Sequence, residues 1–212
     1  MWSYADVADV LRDGLAAQAE EYDVQQAVYG LDALDEVALH PVLAQSLESG
    51  GYGVFREQRY PADRPRRRGS EGQRCDLVLT PDGRPLAQPE ADQTLFEPAD
   101  AAAADDALWM EVKVVHQFTP RGPNARYSGQ LLATVQQDAA RLSSDEGILH
   151  AAVLLVLFAR DGRVAEHDLG IWYDRALAKG VPVGSPARRW IDLNDRCGNA
   201  LCAVALCPVG RR

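Results

Sequence analysis

Apolar residues recur along this chain in two different periods, and the changes between them lay out the elements. Residues 3–22, SYADVADVLRDGLAAQAEEY, place Val7, Val10, Leu11 and Leu15 on one side of a helix, with acidic residues elsewhere. A second helix is predicted over LDALDEVALHPVLAQSLESGG, residues 31–51, where Leu31, Leu34, Val37 or Ala38, Leu43 and Leu47 supply the stripe and Gly50 and Gly51 stop it. Pro41 inside that run is expected to kink the helix or divide it in two. The period then drops to two. YGVFREQRYP (52–61) alternates as a strand does, GQRCDLVLTPDG (72–83) gives a second strand ending in a Pro-Asp-Gly turn, and LWMEVKVV (108–115) gives a third. A helix follows over YSGQLLATVQQDAARL (127–142), and HAAVLLVLFA (150–159), apolar throughout, fits a central strand covered on both faces. A further helix is expected from about residue 165 or 168 to 179, then strands over ARRWIDL and LCAVALCPV.

Two helices, three strands, a helix, a strand, a helix and final strands describe an α/β protein with helices packed against a sheet. At 212 residues and 47% hydrophobic content the chain suits a single domain with one large core. Its first residues lack a basic segment followed by an apolar one, and no uncharged apolar run reaches 18 residues, so a cytoplasmic protein without a membrane segment is expected. Cys75, Cys197, Cys202 and Cys207 form no CxxC pair and read as ordinary free or buried thiols, with Cys202 and Cys207 on opposite faces of the last strand.

Charge changes the picture through its distribution. The 22 basic and 31 acidic residues give a formal charge of -9, which argues against a protein that coats nucleic acid through many phosphate contacts. Residues 56–74 nevertheless carry seven arginines against Glu57, Asp63 and Glu71, a local balance of +4, with Arg66, Arg67 and Arg68 in a row. Residues 82–111 carry Arg84 against eight acids, a balance of -7. The stretch 84–107, rich in Ala, Asp, Glu and Pro, reads mostly as loop with at most a short helix near AAAADDA.

Chemistry enters with Glu111 and Lys113 in the third strand. Alternation puts both on one face, about 7 Å apart, while Met110, Val112 and Val114 fill the other. If the preceding strand pairs beside it, Asp76 projects onto the same face with Leu77 and Leu79 turned away. Two carboxylates and the Val112 carbonyl make an oxygen-rich site for Mg²⁺ or Mn²⁺. The lysine beside it would offset charge developing on a phosphate and help position or deprotonate an attacking water.

These pieces, CDLVL with Asp76 and an apolar strand containing EVK at residues 111–113, resemble the PD-(D/E)XK nuclease superfamily. The resemblance covers residues 31–160 and implies a restriction-endonuclease-like mixed sheet flanked by helices, with an α-β-β-β-α-β core. It makes residues 84–107 an acidic insertion and 161–212 a C-terminal extension of helix and strands packed on the core. Carried across by position, Asp76 and Glu111 would ligate the metal, Lys113 would assist water and phosphate, and Glu36 on the preceding helix would be an accessory carboxylate. Gln130, on the helix after the third strand, matches a glutamine that some members use near metal or DNA. Cys75 stands where the motif has proline, and the 34 residues between Asp76 and Glu111 exceed the usual hairpin.

Plainer readings stand beside these. Asp76 can pair with Arg74, Glu111 with Lys113 as a surface ion pair, and Glu36 can be a solvated helix residue. His40 shares the face of Glu36 and reads either as a phosphate or supporting contact or as a surface histidine; His116 follows the third strand and is a weaker candidate contact. Arg66, Arg67, Arg68, Arg121 and Arg126 are candidate phosphate contacts. The leading expectation is a divalent-metal-dependent nuclease acting on DNA, with RNA as the alternative substrate and endonuclease preferred over exonuclease. A double-strand cut needs two sites, which favours a homodimer. The competing expectations are a catalytically reduced subunit of the same fold and a regulatory or immunity-type protein that binds a protein partner through its acidic insertion.

Overall fold

A computed structural model describes residues 1–62, 73–87, 98 and 100–211. Helix α1 (Tyr4–Val24) starts where the Ser3 hydroxyl accepts from the Asp6 amide, and its buried positions Val7, Leu11, Leu15 and Ala19 follow the apolar stripe. The second helical run divides, but not at Pro41. Leu31–Ala33 form a 3₁₀ turn, the chain is extended at Leu34, and helix α2 (Glu36–Ser49) begins anew with Asp35 accepting from the Ala38 amide. Pro41 sits inside α2 without ending it. The carbonyl that loses its partner belongs to Val37, on the exposed side of the helix, where solvent can replace the bond. Gly51, at φ +87°, closes α2 with the Tyr52 amide on the Leu47 carbonyl and its own amide on that of Glu48.

Strands β1 (Gly53–Arg59), β2 (Arg74–Thr80) and β3 (Leu108–His116) form an antiparallel meander. The short hairpin of β4 (Phe118–Thr119) and β5 (Gly122–Pro123) follows. The helix read over 127–142 is three pieces: α3 (Tyr127–Gly129), a π-helical turn (Gln130–Thr134) and α4 (Val135–Ser144). This segment is the crossover that parallel pairing of β3 with β6 (His150–Ala159) requires. Helix α5 (Gly162–Ala178) starts earlier than its apolar pattern suggests because Asp161 caps it, accepting from the Val164 amide. β7 (Ala187–Asp192) and β8 (Leu201–Val209) complete a six-stranded sheet in the order β1-β2-β3-β6-β8-β7.

The sheet is mixed, with helices on both faces. Alternate residues of β6 show why it is apolar throughout. Val153, Leu155 and Leu157 pack with Leu131, Val135 and Leu142 of the crossover and Leu169 and Trp172 of α5. Ala152, Leu154, Val156 and Phe158 pack with Leu11 and Leu15 of α1 and Leu39, Leu43 and Leu47 of α2. Cys202 and Cys207 fall on opposite faces, and all four cysteines are free. No helix among the described residues is long and apolar enough to cross a membrane.

Candidate metal centre

Pairing between β2 and β3 covers Leu77 with Met110, Val78 with Trp109 and Leu79 with Leu108. It stops before Asp76 and Glu111, so the two strands part there and leave β3 amides without a strand partner. Buried amides must find acceptors. The Val112 N–H donates to Asp76 Oδ2 at 2.8 Å, and the Val114 N–H donates to Glu36 Oε2 at 3.4 Å. Glu36 is the first residue of α2, so the break at Leu34 and the Asp35 cap set where this carboxylate enters the fork.

Glu111 and Lys113 do share a face, but helix α4 covers it. Glu111 is only 3% exposed. Its Oε1 accepts the Tyr60 hydroxyl, and the Arg141 guanidinium lies 3.6 Å away. That guanidinium sits over the Tyr60 ring, 5.9 Å from its centroid, and also 3.5 Å from Asp138. Lys113 Nζ donates to the Val112 carbonyl at 2.8 Å and lies 3.4 Å from Glu36 and 3.5 Å from Asp138. The simple surface ion pair between Glu111 and Lys113 is thus replaced by a larger network, in which each has other partners.

Burial and the neighbouring Asp76 carboxylate push the Glu111 carboxyl up to about 8, against the Tyr60 hydrogen bond, which favours the charged form. Burial works against a charged Lys113, yet the carboxylates of Glu36, Asp138, Asp76 and Glu111 outweigh it and hold the ammonium above the usual lysine range. Burial keeps the Tyr60 phenol protonated, and so a donor.

On the other side of Asp76, His40 of α2 and Glu57 of β1 bring ligand atoms to within 4.8 Å of it and of each other. Ions with bonds of about 2.0–2.2 Å bridge such a span after a small inward rotation of the side chains. His40 lies in the buried stripe of α2, 6% exposed, and its Nε2 has no hydrogen-bond partner among the described residues. Imidazole and two carboxylates form a donor set suited to a divalent cation. Around the fork, Glu36, Glu57, Asp76 and Asp138 stand against Lys113, Arg141 and Arg74, whose guanidinium donates to the Glu57 carbonyl, while Glu111 is held largely protonated at neutral pH.

Asp76, Glu111, Lys113, Glu36 and His40 therefore come together, while the Val112 carbonyl, expected as a ligand, faces the Lys113 ammonium. His116 is stacked on Phe158 at 4.7 Å and bonded to the Leu34 backbone, and burial lowers its basicity. Arg121 and Arg126 are exposed around the β4–β5 hairpin, and the Gln130 side chain, also exposed, accepts from Asn124. Arg66, Arg67 and Arg68 lie outside the described residues.

Four contributors escaped the sequence reading. Asp138 had a signal, a charge occupying a stripe position between Val135 and Leu142. Tyr60 and Arg141 had none, since their meeting depends on how α4 lies across β3. Glu57 had none either, because what aims it is a local reversal of the backbone. No protein-family model matches this chain, and neither a curated protein nor a solved structure does.

Proposed function

We propose that this protein is a divalent-metal-dependent nuclease hydrolysing phosphodiester bonds in DNA, with the restriction-endonuclease-like core of the PD-(D/E)XK superfamily. The observation that carries the proposal is the parting of β2 from β3, which gathers Asp76, Glu111 and Lys113 in one fork beside the His40–Glu57–Asp76 group. The element order α2-β1-β2-β3-α4-β6, with β3 parallel to β6, agrees with the core that the resemblance implies.

Asp76 would hold the metal with His40 and Glu57, and Glu111 stands next to it as a further carboxylate. A bound divalent ion would acidify a water and polarise a phosphoryl oxygen, so that no covalent nucleophile is needed. Lys113 keeps its charge in this setting and supplies a cation beside the centre for a phosphate oxygen. Asp138 and Glu36 hold the ammonium in place, and Tyr60 and Arg141 hold Glu111.

A second reading, a nuclease fold that binds without cutting, draws on the engagement of Glu111 by Tyr60 and Arg141 and of the Val112 carbonyl by Lys113. Plasmid nicking in Mg²⁺ or Mn²⁺ separates the two. Metal-dependent cleavage lost in both Asp76→Ala and Lys113→Ala supports the nuclease. Cleavage surviving both substitutions removes this site from the chemistry, and DNA binding without cleavage favours the second reading.

A further inference from the structure

Glu57 has an unusual backbone conformation, and its carbonyl accepts from the Arg74 guanidinium at 2.7 Å. It lies within β1 at φ +53°, whereas the other non-glycine residues at positive φ among those described, Gln26 and Asp82, lie in turns. The register of β1 with β2 is kept on both sides, Arg56 opposite Leu77 and Gln58 opposite Cys75, so no residue is inserted. Only the pairing of Glu57 with Asp76 is missing. Left-handed backbone is disfavoured for a non-glycine residue, and residues held there concentrate at functional sites. Here the reversal accompanies a carboxylate placed beside Asp76 and His40. The independent observation is His40, a buried imidazole belonging to the same group whose Nε2 has no partner among the described residues.

We infer that Glu57 is a metal ligand supplied by β1, held in a left-handed conformation for that purpose, and that with His40 it makes this centre prefer a divalent transition ion to Mg²⁺. The inference rests on the metal-dependent reading of the fork. An all-oxygen set suits Mg²⁺, which keeps several waters and binds through few carboxylates, whereas imidazole nitrogen suits softer ions. The three ligands come from three elements, α2, β1 and β2, so the ion would also tie the helix layer to the edge of the sheet.

The test is calorimetric titration of the full chain with Mn²⁺ and with Mg²⁺, together with melting curves in chelator. Wild type is expected to bind Mn²⁺ at least tenfold more tightly than Mg²⁺. Glu57→Gln, which keeps length and backbone, is expected to weaken Mn²⁺ by about tenfold or more, and Asp76→Asn to abolish measurable uptake. In chelator, Glu57→Gly should melt about 2 °C above Glu57→Ala, the reverse of an ordinary strand position, because glycine alone adopts this φ freely. Wild-type Mn²⁺ affinity in Glu57→Gln, with binding lost in Asp76→Asn, overturns the β1 ligand while leaving the metal centre intact. Equal affinity for Mg²⁺ overturns the transition-ion preference, and Ala melting above Gly overturns the strained backbone. If wild type takes up neither ion, the metal-dependent reading of the fork falls as well.

Discussion

The two connections of the β1–β2–β3 meander leave the sheet at opposite ends and carry opposite charge. The first joins Arg59 to Arg74 and contains Arg64, Arg66, Arg67 and Arg68. It departs at the forked end, starting with Tyr60, whose hydroxyl reaches Glu111, and returning two residues before Asp76. The second joins Thr80 to Leu108 and contains the acidic stretch. It departs at the paired end, and its base is clasped by the Ala87 amide on the Ala102 carbonyl at 2.8 Å and the Ala102 amide on the Pro85 carbonyl at 2.7 Å. A long acidic segment between two site residues in sequence need not stand between them in space. The described base of the acidic connection lies at the paired end of the antiparallel hairpin, whereas the arginine-rich connection starts and ends beside the fork.

The largest effect that would break this comparison concerns the two ends of the hairpin. Asp76→Ala or Lys113→Ala should lower the nicking rate about a hundredfold or more, while Asp105→Asn with Asp106→Asn, at the far end, should leave it within about twofold. Comparable losses at both ends would dissolve the distinction. Next comes binding. Changing Arg66, Arg67 and Arg68 together to Gln should weaken DNA binding and flatten its salt dependence by about 2 to 3 in the log–log slope, whereas a short Gly-Ser linker in place of residues 88–97 should leave that slope alone. Fluorescence anisotropy across a salt series reads both.

A smaller effect lies in the network that covers the fork. Asp138→Ala leaves Lys113 and Arg141 facing each other without the carboxylate between them and should cost about 1–2 kcal/mol, a fall of roughly 2–8 °C in Tm. A pH effect follows from the same network. Glu111 is held up at about 8 in the fold, while an unfolded glutamate carboxyl titrates near 4.5. Raised in the folded state, it contributes stability fully present below 4.5 and lost as pH rises through 8. In chelator, Tm should therefore decline between pH 5 and pH 8, and Glu111→Gln should reduce that decline; an unchanged slope would show that Glu111 titrates normally.

Much of this was legible in the chain because period and burial are local. All six strands of the large sheet, the helices α1, α2 and α5, and the opposite faces of Cys202 and Cys207 follow from alternation and stripes. Pro41 was misleading, since its cost depends on whether the freed carbonyl meets solvent, and here it does. The charged face of β3 was read as a metal site or a surface ion pair, and the α4 that covers it was not legible, because charge on a helix says nothing of which strand it will cross. His40 was read as a phosphate or supporting contact or as a surface histidine; it is buried, and its nearness to Glu57 was hidden because no pattern of residue types discloses that backbone. Hairpin direction, too, was invisible as a spatial fact until β2 and β3 were seen to pair.

The central claim is that the fork is a metal centre, and the most direct measurement is anomalous scattering from crystals soaked in Mn²⁺. The account predicts a single strong peak at about 2.0–2.3 Å from Asp76, with His40 and Glu57 also in bonding range. A peak elsewhere, or none at millimolar Mn²⁺, would contradict it.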